Sequence, residues 1–342
     1  MRFAKCKDLS GVTPSGKTVA IIGAGPAGLG AAGELVCKGH KVVVYDMLPE
    51  PGGLVIFGIP EFRIPKDRVR EGIEELKKLG VEFKCNVKVG RDISLGEIIN
   101  EYDAVLIATG TWKSNRLGVP GEDLEGVYDA LYYIINSHMA KLGYKPFEEM
   151  PDLYGTVAVI GGGLTAIDAC HIALERGGEK VILLYRRTRQ QAPAGAKEFD
   201  RIEKELGVDI RELTQPIKFL EKNGHVCGIE AIKMKLGAPD SSGRPRPEPI
   251  PGSEHIIEVD NVLVAAGLVA TPPEDAVTCG IELTKWNTIK TDRKHRTTRK
   301  GVFAAGDVKH GASLIGPALK SGKDAAQYID EYLRTGEWGW EE

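Results

Sequence analysis

Two stretches of this chain carry the same arrangement. "TVAIIGAGPAGLGAAGELVCKGHKVVVYD" begins at Thr18, and "TVAVIGGGLTAIDACHIALERGGEKVILLYRR" begins at Thr156. Each reads as strand, glycine turn, helix, strand. The strand segments are unbroken apolar runs rich in β-branched residues, as expected when both faces of a parallel sheet are covered. Such a unit cannot bury its sheet alone and needs further strands and helices around it. A chain of 342 residues also exceeds what one hydrophobic core usually serves. The expected fold is α/β, with two Rossmann-like dinucleotide-binding domains.

The first turn is Gly23-x-Gly25-x-x-Gly28, with Pro26 and Ala27 between the last two glycines. Gly23 allows the tight turn, Gly25 lets the backbone approach a pyrophosphate, and Gly28 lets helix pack on strand. The helix N-terminus then offers unpaired N–H groups and a positive dipole end to phosphates. Asp46 closes the next strand, where a carboxylate can accept hydrogen bonds from ribose hydroxyls. A merely structural turn does not explain an acid at that place, so this site is expected to hold a dinucleotide.

Near the C-terminus, "GVFAAGDV" (Gly301–Val308) resembles the second flavin motif of flavoproteins that carry two dinucleotide domains. That resemblance implies FAD at the first site, with Gly306 and Asp307 at the ribityl chain. The helix after "GAS" opens around Ser313 and Leu314, and its N-terminus would face the flavin pyrimidine edge. "IATG", which includes Ala108, Thr109 and Gly110, looks like the junction where the chain leaves the flavin domain.

The second turn is Gly161-x-Gly163-x-x-Ala166, with Leu164 and Thr165 opening its helix. Spacing from the first unit puts the acidic position at Leu184, followed by Tyr185, Arg186 and Arg187. No carboxylate stands there. Arginine forks suit a ribose 2′-phosphate, which they grip through charge-assisted hydrogen bonds, so NADPH is expected in preference to NADH. The plainer alternative is a solvated strand end, its arginines paired with Glu198 or Glu203.

Net charge is −3, so no global field recruits nucleic acid or an anionic membrane. The six cysteines include no C-x-x-C, which argues against a zinc ribbon, an in-chain iron–sulfur site or a redox-active dithiol. They are expected to be mostly buried small hydrophobes in a reducing compartment. The N-terminus is too polar for a signal peptide, and no apolar run reaches membrane-spanning length. A cytoplasmic protein is expected, with no metal site.

From about Thr18 to Tyr332 the chain resembles the small (β) subunit of glutamate synthase and its relatives, FAD- and NADPH-binding electron-input modules with the pyridine nucleotide-disulfide oxidoreductase fold. The resemblance rests on "GGLVIFGIPEFRIPKD" (Gly52–Asp67), "GVYDALYYI" (Gly126–Ile134), "GGGLTAID" (Gly161–Asp168), "YRR" (Tyr185–Arg187) and "GSEH" (Gly252–His255). It implies that Gly52, Gly53, Leu54, Gly58, Ile59 and Val89 line the FAD, and that Ala266 and Gly267 border the nicotinamide nucleotide.

The chain departs from that family in two respects. Relatives carry an N-terminal iron–sulfur domain, whereas Cys6 is the only cysteine ahead of the first strand. Any relay is therefore expected on another polypeptide, or to be absent. The second turn usually has Asp where Leu164 stands, and Met-Pro where Ala192-Pro193 stands.

The NADPH domain (116–257) is expected to be inserted into a split FAD domain (1–115 and 258–342), with two crossovers that permit rotation. The resemblance implies hydride transfer from NADPH to FAD and onward transfer to an iron–sulfur protein or a glutamate-synthase large-subunit-like partner. Cofactors carry that chemistry, so no catalytic side chain is assigned; His310, close to Asp307, is the histidine expected near the flavin. A ferredoxin:NADP⁺ reductase acting on a soluble iron–sulfur protein, or a non-catalytic FAD-bearing subunit of a dehydrogenase complex, remain as alternatives. A thioredoxin-reductase-like activity lacks its dithiol, and nothing suggests the substrate pocket of a flavin monooxygenase.

Overall fold

The computed structural model describes residues 1–146, 149–240 and 243–340. The chain divides into two compact units. Unit 1 comprises Met1–Trp112 and Val269–Glu342, and unit 2 is Lys113–Leu268.

Unit 1 opens with β1 (Thr18–Ile22), α1 (Pro26–Val36) and β2 (Lys41–Tyr45). The Gly/Pro-rich stretch that follows is expected to be loop, yet it contains one turn of helix, α2 (Leu54–Phe57). Its three buried apolar residues, Val55, Ile56 and Phe57, hold that turn against the core. α3 (Lys66–Lys78) follows the Val69, Ile73, Leu76 stripe and stops before Gly80. β3 (Glu82–Lys84) is shorter than "VEFKCNVKV" suggests, because the backbone turns left-handed at Asn86 (φ +57°). α4 (Leu95–Glu101) starts on a capping box, in which Ser94 and Glu97 each satisfy the other's backbone N–H. β4 (Ala104–Ile107) and β5 (Thr111–Ser114) then lead to the first crossover.

Unit 2 runs β6 (Val127–Asp129), α5 (Ala130–Lys141), β7 (Thr156–Ile160), α6 (Leu164–Glu175), β8 (Lys180–Leu184), α7 (Ala196–Leu206) and β9 (Asp209–Arg211). Its parallel sheet has the order β6, then a later strand β14 (Asn261–Val264), then β7, β8 and β9. Between β9 and β14 lies an antiparallel layer: β10 (Thr214–Lys222), β11 (His225–Pro239), β12 (Pro245–Pro249) and β13 (His255–Glu258).

Two expectations change in unit 2. "HIIEVDNVLVAAG" reads in the sequence as one strand but is two strands in different sheets, so the boundary expected at 257/258 moves to 268/269: β14 pairs with β7 and β6 and cannot leave unit 2. The Pro-rich excursion forms the β11–β12 hairpin, with Pro239 opposite Pro245 and Leu236 opposite Pro247. Pro245, Pro247 and Pro249 alternate along β12, so their missing N–H groups share one edge, the outer one. Ser241 and Ser242, within that excursion, lie outside the described residues.

The chain returns to unit 1 through β15 (Leu268–Ala270), followed by β16 (Val302–Ala304), α8 (Asp307–His310) and the long α9 (Ile315–Thr335). Unit 1's sheet is wholly parallel, in the order β16, β4, β1, β2, β3. α9 packs tightly on α1, because a Cβ on Gly322 would lie 1.9 Å from the Ala27 carbonyl oxygen.

At the far end of that helix pair Asp330 accepts from Lys38 Nζ (2.9 Å) and Arg334 Nε (3.0 Å), and it faces His40 Nε2 at 2.9 Å. Burial alone would raise the Asp330 pKa. Hydrogen bonds from Lys38 and His40 and the charges of Lys38 and Arg334 outweigh burial and hold it below the usual range. A depressed carboxylate pKa stabilises the fold above its unfolded value, and that stabilisation is lost as pH falls through the folded value. Asp330→Asn is therefore expected to cost about 1–2 kcal/mol at pH 7 in denaturant unfolding, allowing for the partial exposure of Lys38 and Arg334. The deficit should shrink as pH drops below about 4.

The cysteines do not follow the expectation of buried hydrophobes. Cys6 and Cys37 are disulfide-bonded with Cα atoms 5.7 Å apart, Cys227 is exposed, and Cys170 is buried. The bond ties the N-terminal segment to the end of α1, in unit 1. That segment is itself packed: Phe3 is buried, and a Cβ on Gly33 would meet its carbonyl oxygen at 2.4 Å. Two cysteines 31 residues apart give no spacing signal for such a pairing. Among the described residues no helix is long and apolar enough to cross a membrane.

Candidate functional site

In unit 1 the expected residues converge on the N-terminus of α1. Gly23 has φ +108°, and a Cβ there would lie 2.3 Å from the Ala108 carbonyl oxygen, so the turn is pressed against the end of β4. A Cβ on Gly28 would lie 1.9 Å from the Gly23 oxygen. Gly25 differs: a Cβ there would meet nothing within 4 Å. This glycine keeps open space in front of a helix that starts with Pro26 and has no side-chain cap.

A second loop closes over the first. Gly52 donates its N–H to the Ala24 oxygen (2.8 Å), and a Cβ on Gly53 would come within 2.8 Å of the Gly25 Cα. Leu54 opens α2, Gly58 caps it, and Ile59 follows. The ammonium of Lys66, a buried residue, holds this loop by donating to the Val55 oxygen (2.5 Å) and to the Ile59 oxygen. Lys66 was not among the expected site residues. It lies within "GGLVIFGIPEFRIPKD", and a basic residue on the polar side of a helix start reads as solvated.

Asp46 is buried at the end of β2 and accepts N–H groups from Ala24 (2.6 Å) and Leu48 (2.8 Å). Burial pushes its pKa up to about 6 against the pull of those two bonds. Ribose hydroxyls donating to the same carboxylate would favour its ionised form. From the other segment, Gly306 stands against Ala27, where an added Cβ would lie 2.8 Å from the Ala27 Cβ, and its N–H donates to Ser321 Oγ (2.9 Å). Asp307 accepts the Ser313 hydroxyl at 2.6 Å, and burial raises its pKa above the usual carboxylate range. Leu314 caps α9 without a side-chain hydrogen bond and is exposed.

Thr109 Oγ1 is buried without a partner among the described residues, and Gly110 follows in a left-handed turn. His310 reaches this region indirectly, through Ser321 Oγ at 3.4 Å from its Nε2. Val89 is buried in the same hydrophobic cluster as Tyr45, at the end of β2. An open glycine, an uncapped helix N-terminus, a buried acid and an orphaned hydroxyl together fit FAD.

Unit 2 repeats the scheme with different chemistry. Gly161 presses on the Ala265 oxygen, where a Cβ would approach to 2.2 Å, while Gly163, the cap of α6, again faces open space. Leu164 and Thr165 form the first turn, and Ala166 is wholly buried in the place of Gly28. Ala266 and Gly267 are fixed by Asn115, whose Nδ2 donates to the Ala266 oxygen (3.4 Å) and whose N–H donates to the Gly267 oxygen (2.7 Å).

The counted acidic position slips by one residue. Gly23 N–H donates to Tyr45 O, and Gly161 N–H donates to Leu184 O, so the equivalent of Asp46 is Tyr185, not Leu184. The cause is α6, which has 12 residues where α1 has 11. The Tyr185 ring fills the space over Gly162, where a Cβ would come within 2.3 Å of it.

The three arginines separate. Arg189 Nη1 and Nε engage Asp200 (2.5 Å), Glu203 (2.9 Å) and Glu212 (2.5 Å), which is the paired strand end of the plainer reading. Arg187 is buried and pairs with Asp240 at 2.8 Å. The Arg186 side chain is exposed and makes no hydrogen bond or ion pair among the described residues. Packing around its guanidinium, with the nearby cations Arg187 and Arg244, lowers its pKa. Unit 2 therefore fits a nicotinamide dinucleotide, with one free guanidinium at the strand end.

A family model described as "Pyridine nucleotide-disulphide oxidoreductase" matches residues 17–322. The glutamate synthase [NADPH] small chain of Halomonas elongata is 40% identical over 335 residues, which cover 95% of this chain and 70% of that one. The putative oxidoreductase AegA of Escherichia coli K12 is 39% identical over 334 residues, 95% of this chain and 50% of AegA, so the chain spans half the length of that relative. Mycobacterium tuberculosis FprA, solved in complex with NADPH, superposes with a TM-score of 0.80 at 22% identity, covering 95% of this chain and 86% of that one. At that identity the likeness is one of fold.

Proposed function

Since the chain belongs to the pyridine nucleotide-disulphide oxidoreductase family, we propose that it is an FAD-dependent NADPH oxidoreductase, with FAD in unit 1 and NADPH in unit 2. The carrying observation is the pair of open cradles at Gly25 and Gly163, one followed by a buried acid and the other by a free arginine.

When bound, FAD supplies a redox centre that accepts hydride from NADPH and releases electrons singly or in pairs. The chain's own residues bind and orient. Gly25 and Gly163 admit pyrophosphate to uncapped helix N-termini, each interaction contributing about 0.3–1 kcal/mol. Asp46 accepts from the adenosine ribose of FAD, and Arg186 meets the 2′-phosphate of NADPH. The Lys66-held loop covers the pyrophosphate side of unit 1 and excludes water there. No side chain is assigned a proton-transfer role.

The onward acceptor is an iron–sulfur protein or a glutamate-synthase large-subunit-like chain, since relatives carry the names glutamate synthase small chain, formate dehydrogenase subunit and NADPH-Fe(3+) oxidoreductase subunit. Anaerobic addition of NADPH to the yellow protein should bleach the bound flavin, with NADH acting more weakly. A flavin that stays oxidised would identify a non-catalytic FAD-bearing subunit instead. Pull-down of the native protein identifies the acceptor chain.

A further inference from the structure

Residues Met1 to Cys6 form a strap between two helices of unit 1. Phe3 is 1% exposed, and a Cβ on Gly33 of α1 would lie 2.4 Å from its carbonyl oxygen. On the other side, a Cβ on Gly72 of α3 would lie 1.8 Å from the Met1 oxygen and 3.0 Å from Phe3 Cδ2. Only glycine at both places lets the strap backbone lie against both helices. Farther along, Lys5 pairs with Glu34 of α1 at 3.2 Å, and Cys6 is bonded to Cys37, the C-cap of α1.

Those two helices carry the two walls of the FAD cradle. α1 presents its uncapped N-terminus behind Gly25, and α3 begins with Lys66, whose ammonium holds the Gly52–Ile59 loop by the Val55 and Ile59 oxygens. That loop closes over the same N-terminus through the bond from Gly52 N–H to the Ala24 oxygen. The strap thus ties the helix that receives the pyrophosphate to the helix that anchors its cover.

We propose that the Cys6–Cys37 disulfide is a thiol-exchange site, whose reduction by a dithiol slackens the strap and loosens the hold of unit 1 on FAD. The FAD part of this inference rests on the function proposed above.

Three observations support it. Both cysteines are half-buried, so a dithiol can reach the bond, whereas Cys170 is enclosed. Lys5 and Lys7 flank Cys6, and Lys38 follows Cys37; cationic neighbours favour the thiolate that leaves in exchange. Finally, little else fixes the far end of the strap. The Lys5 side chain is 73% exposed, so its ion pair contributes little, and ordering the segment has an entropic cost that one buried phenylalanine does not offset alone. In the exchange, the two thiols of the dithiol give up two protons and two electrons and become a disulfide. The Cys6–Cys37 bond breaks, and both sulfurs become thiols.

The test begins with the bond itself. Alkylation of the denatured protein should label four cysteines before dithiothreitol and six after it. Release of FAD from the diluted holoprotein, followed by the fluorescence of free flavin, should be about tenfold faster after dithiothreitol. Cys6→Ser should release FAD at the faster rate with or without dithiothreitol. Amide exchange should rise in residues 1–6, α1 and α3, and stay unchanged in the parallel sheet of unit 2. A lower melting temperature would accompany a purely structural disulfide too, so FAD release from the still-folded protein is the deciding measurement.

Six labelled cysteines before reduction would overturn the proposal, and so would equal FAD release from the oxidised and reduced proteins. A Cys6→Ser protein that still responds to dithiothreitol would overturn it as well, because the effect would then lie at another cysteine. Should Cys6→Ser fail to fold, wild-type protein with and without dithiothreitol decides alone. An oxidised chain that holds no FAD when FAD is supplied would instead overturn the flavin assignment, and amide exchange would still judge the strap.

Discussion

Gly25→Val is expected to yield a folded, colourless protein, whereas Gly28→Ala should yield little folded protein at all. The two glycines lie three residues apart in one fingerprint, and their neighbours decide the difference. Gly25 has φ −78° and ψ −175°, a backbone any residue can adopt, and a Cβ there meets nothing within 4 Å. Valine therefore costs the apo fold little. Its methyl groups would instead fill the space through which a pyrophosphate reaches the first turn of α1. Overpacking of that kind costs about 1–3 kcal/mol, and the upper end is a loss of more than 100-fold in affinity.

At Gly28 the added methyl would lie 1.9 Å from the Gly23 carbonyl oxygen and 3.2 Å from Ile21 Cγ2. Both belong to β1 and the turn that follows it, so α1 would have to move off its strand, at a cost of at least the same 1–3 kcal/mol. The flavin absorbance of the purified variants and their thermal unfolding check both halves. A yellow Gly25→Val protein would remove the pyrophosphate from this cradle.

The parts of this molecule visible in its sequence are those governed by near neighbours. Gly23 and Gly161 are recognisable because each sits between its own strand and helix. The stripe Val69, Ile73, Leu76 announces α3, and Gly207 in a left-handed turn ends α7 as the pattern "EKELG" suggests.

What escaped depends on distant partners. Whether "HIIEVDNVLVAAG" is one strand or two depends on β11 claiming His255–Glu258 and β7 claiming Asn261–Val264. The Pro-rich segment from Gly237 becomes a hairpin because β12 needs few donors on its outer edge. One extra residue in α6 moves the acid-equivalent position to Tyr185, a shift that counting cannot detect. Cys6 is bonded to Cys37 in a segment whose Phe3 backbone lies against Gly33 of α1, a contact between parts of the chain distant in sequence. The cluster "RRTR" reads as a uniform basic patch, yet Asp240, just past β11, and Glu212, just past β9, claim two of its members.

That division makes the second large effect specific to one residue. Arg186→Gln is expected to raise the KM for NADPH by about 10- to 100-fold and to leave the KM for NADH within about twofold. A hydrogen bond to a charged group contributes about 1.5–3 kcal/mol, and each 1.4 kcal/mol is a factor of ten. NADH lacks the phosphate, so it loses nothing when the guanidinium goes. Because Arg186 is exposed and makes no ion pair among the described residues, its replacement should not lower the melting temperature.

Arg189→Gln should behave in the opposite way. Its guanidinium engages Asp200, Glu203 and Glu212, so stability falls while the ratio of the two KM values stays put. Kinetics with both nucleotides, run beside thermal unfolding of both variants, separate a selector from a strut. If Arg186→Gln shifts the two KM values equally, the exposed arginine is only a solvated strand end, and the preference for NADPH must come from another part of unit 2.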